Sequence, residues 1–198
     1  HGDYTHAWVR DNVYSILAVW ALGRAWRTDD PAQADDLDAA TTRLMRGLLA
    51  AMMRQAHKVE RSKRTQHPHD APHAKYSTQS GEPVVGDTEW GHLQIDATAI
   101  FLLMLTQMSA GGLSIVRDRD ELNFVQNLVW YLAHAWRTPD YGIWERGHKR
   151  NDGQAEVNAS SVGMAKAALE VVNGAQLLPG ADSPRIHVPA DAIAQARH

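Results

Sequence analysis

The chain has 198 residues, of which 44% are hydrophobic and 22% charged, with a net charge of −3. That length is enough for one domain with a substantial core. The composition offers no basic surface for nucleic acid and no run near 18 apolar residues that would span a membrane. With no cysteine, it has no disulfide framework, zinc–thiolate site or cysteine nucleophile, which fits a reducing, cytoplasmic setting.

In chain order, the segment from His6 to Asn12 leads into a first helix predicted from about Asn12 to Arg27, with Val13, Ile16, Leu17, Trp20 and Ala21 at helical spacing. Asp30-Pro31 closes it. A second helix is predicted from about Ala34 to Val59. A polar stretch from Glu60 to Glu89, holding Pro68, Pro72, Pro83, Gly81 and Gly86, reads as a long loop, and loops of that length in a compact domain carry function or are disordered. A third helix, about Leu93 to Ser109, is apolar around most of its circumference and reads as buried on several sides; Gly111-Gly112 stops it. A fourth runs from about Asp120 to Arg137, and Pro139-Asp140-Tyr141-Gly142 is a turn. A fifth runs from about Ala159 to Gly174, with Asn158 as its N-cap, and a sixth begins near Pro189. The only strand-like pieces are Pro83 to Val85 and Arg185 to Val188. The expected class is all-α: successive helices in an α/α arrangement whose long loops gather on one face.

Seven Trp and five Tyr against two Phe favour rings with a hydrogen-bonding edge, which suit sugars as well as an ordinary core. Three clusters concentrate chemistry at loop–helix junctions. In His6-Ala7-Trp8-Val9-Arg10-Asp11-Asn12, a planar fork of donors next to an acceptor can hold vicinal hydroxyls, with Trp8 as a wall; the same residues also fit a plain helix start. Lys75-Tyr76-Ser77 and Glu89-Trp90-Gly91-His92-Leu93-Gln94-Ile95-Asp96 place an indole beside a glycine. Gln94 and Asp96 are two apart and so do not share a helix face. In Tyr141-Gly142-Ile143-Trp144-Glu145-Arg146-Gly147, a carboxyl beside Trp144 would be desolvated, which raises its pKa as a general acid requires. Glu156-Val157-Asn158-Ala159-Ser160-Ser161 follows. Ordinary turn carboxylates fit this pattern too. His67, His69 and His73 have spacings that suit a stray metal ion, but a solvated loop is the simpler reading and no metal site or cofactor is expected. There is no phosphate loop, G-x-S-x-G or H-E-x-x-H.

These motifs carry a resemblance. Trp8-Val9-Arg10-Asp11, Lys75-Tyr76-Ser77 ahead of Trp90-Gly91, Ile143-Trp144-Glu145 and Glu156 to Ser161 resemble, in order, segments of the glucoamylases of glycoside hydrolase family 15. Val9 to Ile16, Leu44 to Leu48, His73 to Tyr76, Trp90 to Gln94 and Asn158 to Glu170 are similar to the α and β regulatory subunits of phosphorylase kinase, over nearly the whole chain; alanine-rich loops suggest a bacterial homologue. The resemblance implies an (α/α)6 barrel of twelve helices, of which residues 1–198 are one partial domain, the N-terminal half, truncated at both ends. It implies inverting exo-hydrolysis of α-1,4-glucan from the non-reducing end, with Glu145 as general acid, or Glu156 in its place, because ten residues separate the two where the family has none. The base, roughly 6.5–9.5 Å from the acid, would come from outside this chain. Trp8, Arg10, Asp11, Lys75, Trp90, His92, Gln94, Trp144 and Glu156 would contact an α-1,4-linked glucan or malto-oligosaccharide. The balance leans toward an active hydrolase. The alternative is a non-catalytic glucan-sensing module of glycogen metabolism, which implies a kinase catalytic subunit and a calmodulin-like protein as partners.

Overall fold

The computed structural model describes residues 5–145, 154–180 and 182–195. Ten elements follow one another: strand β1 (His6–Trp8), helices α1 (Val9–Trp26), α2 (Pro31–Met53) and α3 (Ala56–Thr65), a 3-10 turn at Pro68–Asp70, strand β2 (Lys75–Ser77), and helices α4 (Ile95–Ala110), α5 (Arg119–Ala135), α6 (Ala159–Val172) and α7 (Ala190–Gln195). The class is all-α, as expected. Among the described residues no helix is long and apolar enough to cross a membrane.

The helix ends follow local chemistry. Pro31 occupies the first turn of α2, and Asp30 accepts a hydrogen bond from the Gln33 amide at 3.0 Å. Asp118 caps α5 through the Glu121 amide at 2.8 Å. Gly112, at φ +101°, makes the left-handed turn after α4. Asn158 precedes α6 with extended dihedrals, but its side chain makes no cap bond; its amide donates instead to Asp140.

Helix α4 is the centre of the domain. Ala99, Phe101, Leu102, Leu105 and Met108 are fully buried, and Ile95 and Ala97 nearly so. It packs between α1 and α6, while α2 lies on α1 and α5 touches α2, α3, α4 and α6. An apolar circumference is what a helix covered on all these sides needs.

Four sequence expectations change. The predicted second helix breaks between Met53 and Ala56, and α3 runs on to Thr65. The break belongs to Gln55, whose amide donates to the Tyr76 hydroxyl and whose carbonyl accepts from the His73 amide at 3.0 Å. The Glu60 to Glu89 stretch is therefore helical at its start and tied down afterwards. Strands β1 and β2, expected as helix start and loop, pair antiparallel with Ala7 opposite Tyr76. Pro83 forms only an isolated bridge with Tyr76, and Arg185 to Val188 form no strand.

Candidate functional site

Strand β1 ends at Trp8 and α1 begins one residue later, so the β1–β2 ladder sets where Trp8, Arg10 and Lys75 sit. The indoles of Trp8 and Trp90 stack, with ring centroids 5.5 Å apart and planes 21° from parallel. Lys75 Nζ lies over Trp8, 4.9 Å from its centre. Trp90 remains 48% exposed. An aromatic ledge with a solvent-facing indole is thus built from residues 82 positions apart.

Beside it, Arg10 is buried. Nη1 donates to Gln94 Oε1 at 3.0 Å and to Asp96 Oδ2 at 2.8 Å, and Nη2 donates to Glu145 Oε1 at 3.1 Å. One guanidinium thereby joins α1, α4 and the turn before α6, the planar multi-donor role for which Arg is suited. Gln94 also donates to the Trp90 carbonyl at 3.0 Å, which links the Arg10 cluster to the aromatic ledge. Glu145 takes the left-handed conformation at φ 59°, a costly position for a residue with a side chain. Partial burial pushes its carboxyl above its ordinary value, and Arg10 opposes the push. Burial likewise raises Asp96 against the pull of Arg10, and Asp96 Oδ1 is buried without a partner among the described residues.

Of the other candidates, Asp11 lies exposed in the first turn of α1. Trp144 is 75% exposed, so Glu145 owes its desolvation to the Arg10 cluster more than to an indole wall. Glu156 pairs its backbone with Asp140, and it is Glu145, not Glu156, that reaches Arg10. Arg146 lies outside the described residues.

His92 faces away from the ledge. It is buried, with Nδ1 at 2.8 Å from the Asp87 carbonyl and Nε2 at 2.7 Å from the Ala71 carbonyl, so it anchors the loop that carries Trp90. His73 has left the company of His67 and His69. Its ring packs on His92 at 4.2 Å, and its Nε2 lies 2.7 Å from Asp87 Oδ1. Ligand atoms of His73, Asp87 and His92 fall within 4.8 Å of one another. The Lys58 ammonium already donates to Asp87 and sits 3.3 Å from His73 Nε2, so the cation this cluster needs is supplied by the chain.

Sequence reasoning missed three supports. Asp140, fully buried, accepts from the Ile95 amide at 2.9 Å, the Ser161 hydroxyl at 2.7 Å and the Asn158 amide at 2.8 Å, and it holds the start of α4 against the start of α6. Burial raises its carboxyl while Ser161 and Asn158 oppose. An Asp in a Pro–Asp turn looks like any turn acid, so nothing in the sequence marks it. Gly142 adopts φ +61°, and a Cβ there would lie 2.7 Å from Asn158; only glycine lets this turn pass so close. The Lys58–Asp87 pair gave no signal either.

Comparison with known proteins bears on what this site does. The chain is 54% identical over 198 residues to the phosphorylase b kinase regulatory subunit alpha, skeletal muscle isoform, of Oryctolagus cuniculus, which covers 96% of this chain. It is 54% identical over 194 residues to the liver isoform of Takifugu rubripes, covering 94% of this chain, and 53% identical over 199 residues to that of Mus musculus, covering 96%. The chain spans 16% of the length of these relatives. The leaning toward an active inverting hydrolase, with Glu145 or Glu156 as its acid, is therefore corrected: proteins that share over half of these residues are named regulatory subunits, not hydrolases. The fold assignment stands, for the description "Glycosyl hydrolases family 15" matches residues 1–196. The chain belongs to glycosyl hydrolase family 15.

Proposed function

We propose that this domain is a non-catalytic α-glucan sensor within a kinase regulatory subunit, built as the N-terminal part of a family 15 barrel. It holds the non-reducing end of an α-1,4-glucan, and its larger chain assembles with a kinase catalytic subunit, as the names of its relatives suggest. The observation that carries the reading is the half-exposed Trp90 stacked on Trp8 beside the partly buried Arg10–Glu145 pair. An indole face takes the apolar face of a glucosyl ring, and the neighbouring carboxylates accept from its hydroxyls. Asp11, at the rim, adds an exposed acceptor. In this reading Glu145, held at 3.1 Å by Arg10, is a ligand for hydroxyls rather than a proton donor.

The test uses the full-length protein and maltoheptaose, followed in parallel by calorimetry and by glucose release. Saturable binding without glucose is the expected result. Trp90→Ala removes the exposed stacking face and weakens binding by about tenfold, as a loss near 1.4 kcal/mol requires. Absence of saturable binding overturns the reading.

A further inference from the structure

Helix α6 ends on Asn173-Gly174, the one place in the chain where glycine follows asparagine. An asparagine in that setting can react with its own backbone, because the next amide nitrogen has no side chain beside it to obstruct attack. Asn173 is exposed and takes an extended conformation, φ −62° and ψ 119°. Its carboxamide makes no hydrogen bond among the described residues. Those of Asn12, Asn127 and Asn158 are by contrast spent on Trp8, Glu60 and Asp140.

The folded chain holds Gly174 away from that reaction. At ψ 119° its nitrogen is turned away from the Asn173 side chain, so ring closure needs a rotation about the bond that leads into Gly174. Two contacts oppose the rotation. The Gly174 amide donates to the Ile186 carbonyl at 2.9 Å, and the Gly174 carbonyl accepts from Arg185 Nη1 at 2.9 Å. Ile186 in turn donates to the Ala175 carbonyl at 2.9 Å. The segment that carries this lock is fixed to the domain by buried Ile186 and Val188 and by Gln126, which exchanges two 2.8 Å hydrogen bonds with the His187 backbone. Arg185 and His187 are themselves exposed. A surface attachment of this kind opens locally at a lower cost than unfolding the domain.

We propose that Asn173 is a self-modification site, an asparagine that deamidates when residues 185–188 release Gly174. In the open form the Gly174 nitrogen attacks Asn173 Cγ and a new C–N bond forms. The bond from Cγ to the carboxamide nitrogen breaks, and that nitrogen takes up the Gly174 proton and leaves as ammonia. Water then opens the cyclic succinimide at one of its two carbonyls, giving aspartate or isoaspartate; nothing is oxidised or reduced. Isoaspartate adds a methylene to the backbone just before Gly174. It therefore shifts Gly174 out of register with Ile186 and leaves the lock weaker than it was. The end of α6 thus holds a one-way chemical record of how often the segment opens.

The experiment incubates the full-length protein and a synthetic peptide of residues 168–178 in one neutral buffer. Residue 173 is followed by peptide mapping and by isoaspartyl methyltransferase labelling. Conversion in the full-length protein is expected to be at least about tenfold slower than in the peptide, as two hydrogen bonds to be opened imply. Arg185→Ala removes one of these bonds and raises the rate about fivefold, and hydrogen exchange at the Gly174 amide rises with it. Asn173→Gln, with a longer side chain, leaves no acid at that position. The proposal is overturned if residue 173 stays an amide in both the parent and Arg185→Ala once the peptide has converted. It is equally overturned if the parent converts as fast as the peptide, or if Arg185→Ala leaves the rate unchanged.

Discussion

Arg10 shows how much one side chain can decide. Three acceptors from three parts of the chain share its guanidinium, and its Asp96 partner is 2% exposed. Arg10→Ala would leave a buried carboxylate unpaired, at a cost of roughly 3–5 kcal/mol. Arg10→Lys would recover only part of this, because an ammonium holds its donors on a single nitrogen and lacks the planar fork whose two nitrogens reach these acceptors. Chemical denaturation of the full-length protein measures both. Equal stability of Arg10→Ala and the parent would show that Asp96 is neutral in the folded state. The sequence pattern placed Arg10 at the site, but not its burial. Its neighbour Asp11, one residue on, stays exposed, and residue type alone does not separate the two.

At the scale of elements, the Lys58–His73–Asp87–His92 cluster ties α3, the segment before β2 and the Trp90 loop together. Burial holds His73 down at about 4, against an ordinary 6.5, and lowers His92 as well. Between pH 6.5 and 4 the unfolded chain therefore binds more protons than the folded one, and stability falls as the pH drops. Burial works against the Asp87 carboxylate, but hydrogen bonds from Lys58 and His73 outweigh it and hold it at about 2. Its contribution is present above its unfolded value near 3.8 and is lost as the pH falls from there toward 2. Thermal unfolding should accordingly shift to lower temperature from pH 7 to pH 4, with a shallower slope in His73→Gln; an unchanged slope in that variant would remove His73 from the account. The helices α1, α4, α5 and α6 were legible because apolar spacing and caps are local signals. The α2–α3 break was not, since the apolar pattern runs through it, and only the contacts of Gln55 with Tyr76 and His73 show why it occurs. The β1–β2 ladder escaped notice for a similar reason: three-residue strands are too short to alternate visibly.

At the scale of the molecule, α4 is enclosed while α1 is not. Tyr14, Leu22 and Trp26 are exposed along α1, spaced eight and four residues apart on one stripe, and Leu44 is exposed on α2. Exposed apolar side chains grouped this way favour association. Residues 1–198 produced alone are expected to self-associate at micromolar concentration in light scattering after size exclusion; a monodisperse, cooperatively melting fragment would refute this. The sequence by itself determined the all-α class, the order of the main helices and the motifs of family 15, because periodicity, caps and short motifs are written in neighbouring residues. Only the tertiary structure decided that Trp8 stacks on Trp90, that Glu145 rather than Glu156 meets Arg10, that His92 braces the loop from behind, and that Asp140 joins α4 to α6. Those contacts span tens of residues of chain, and each depends on burial that no local pattern records.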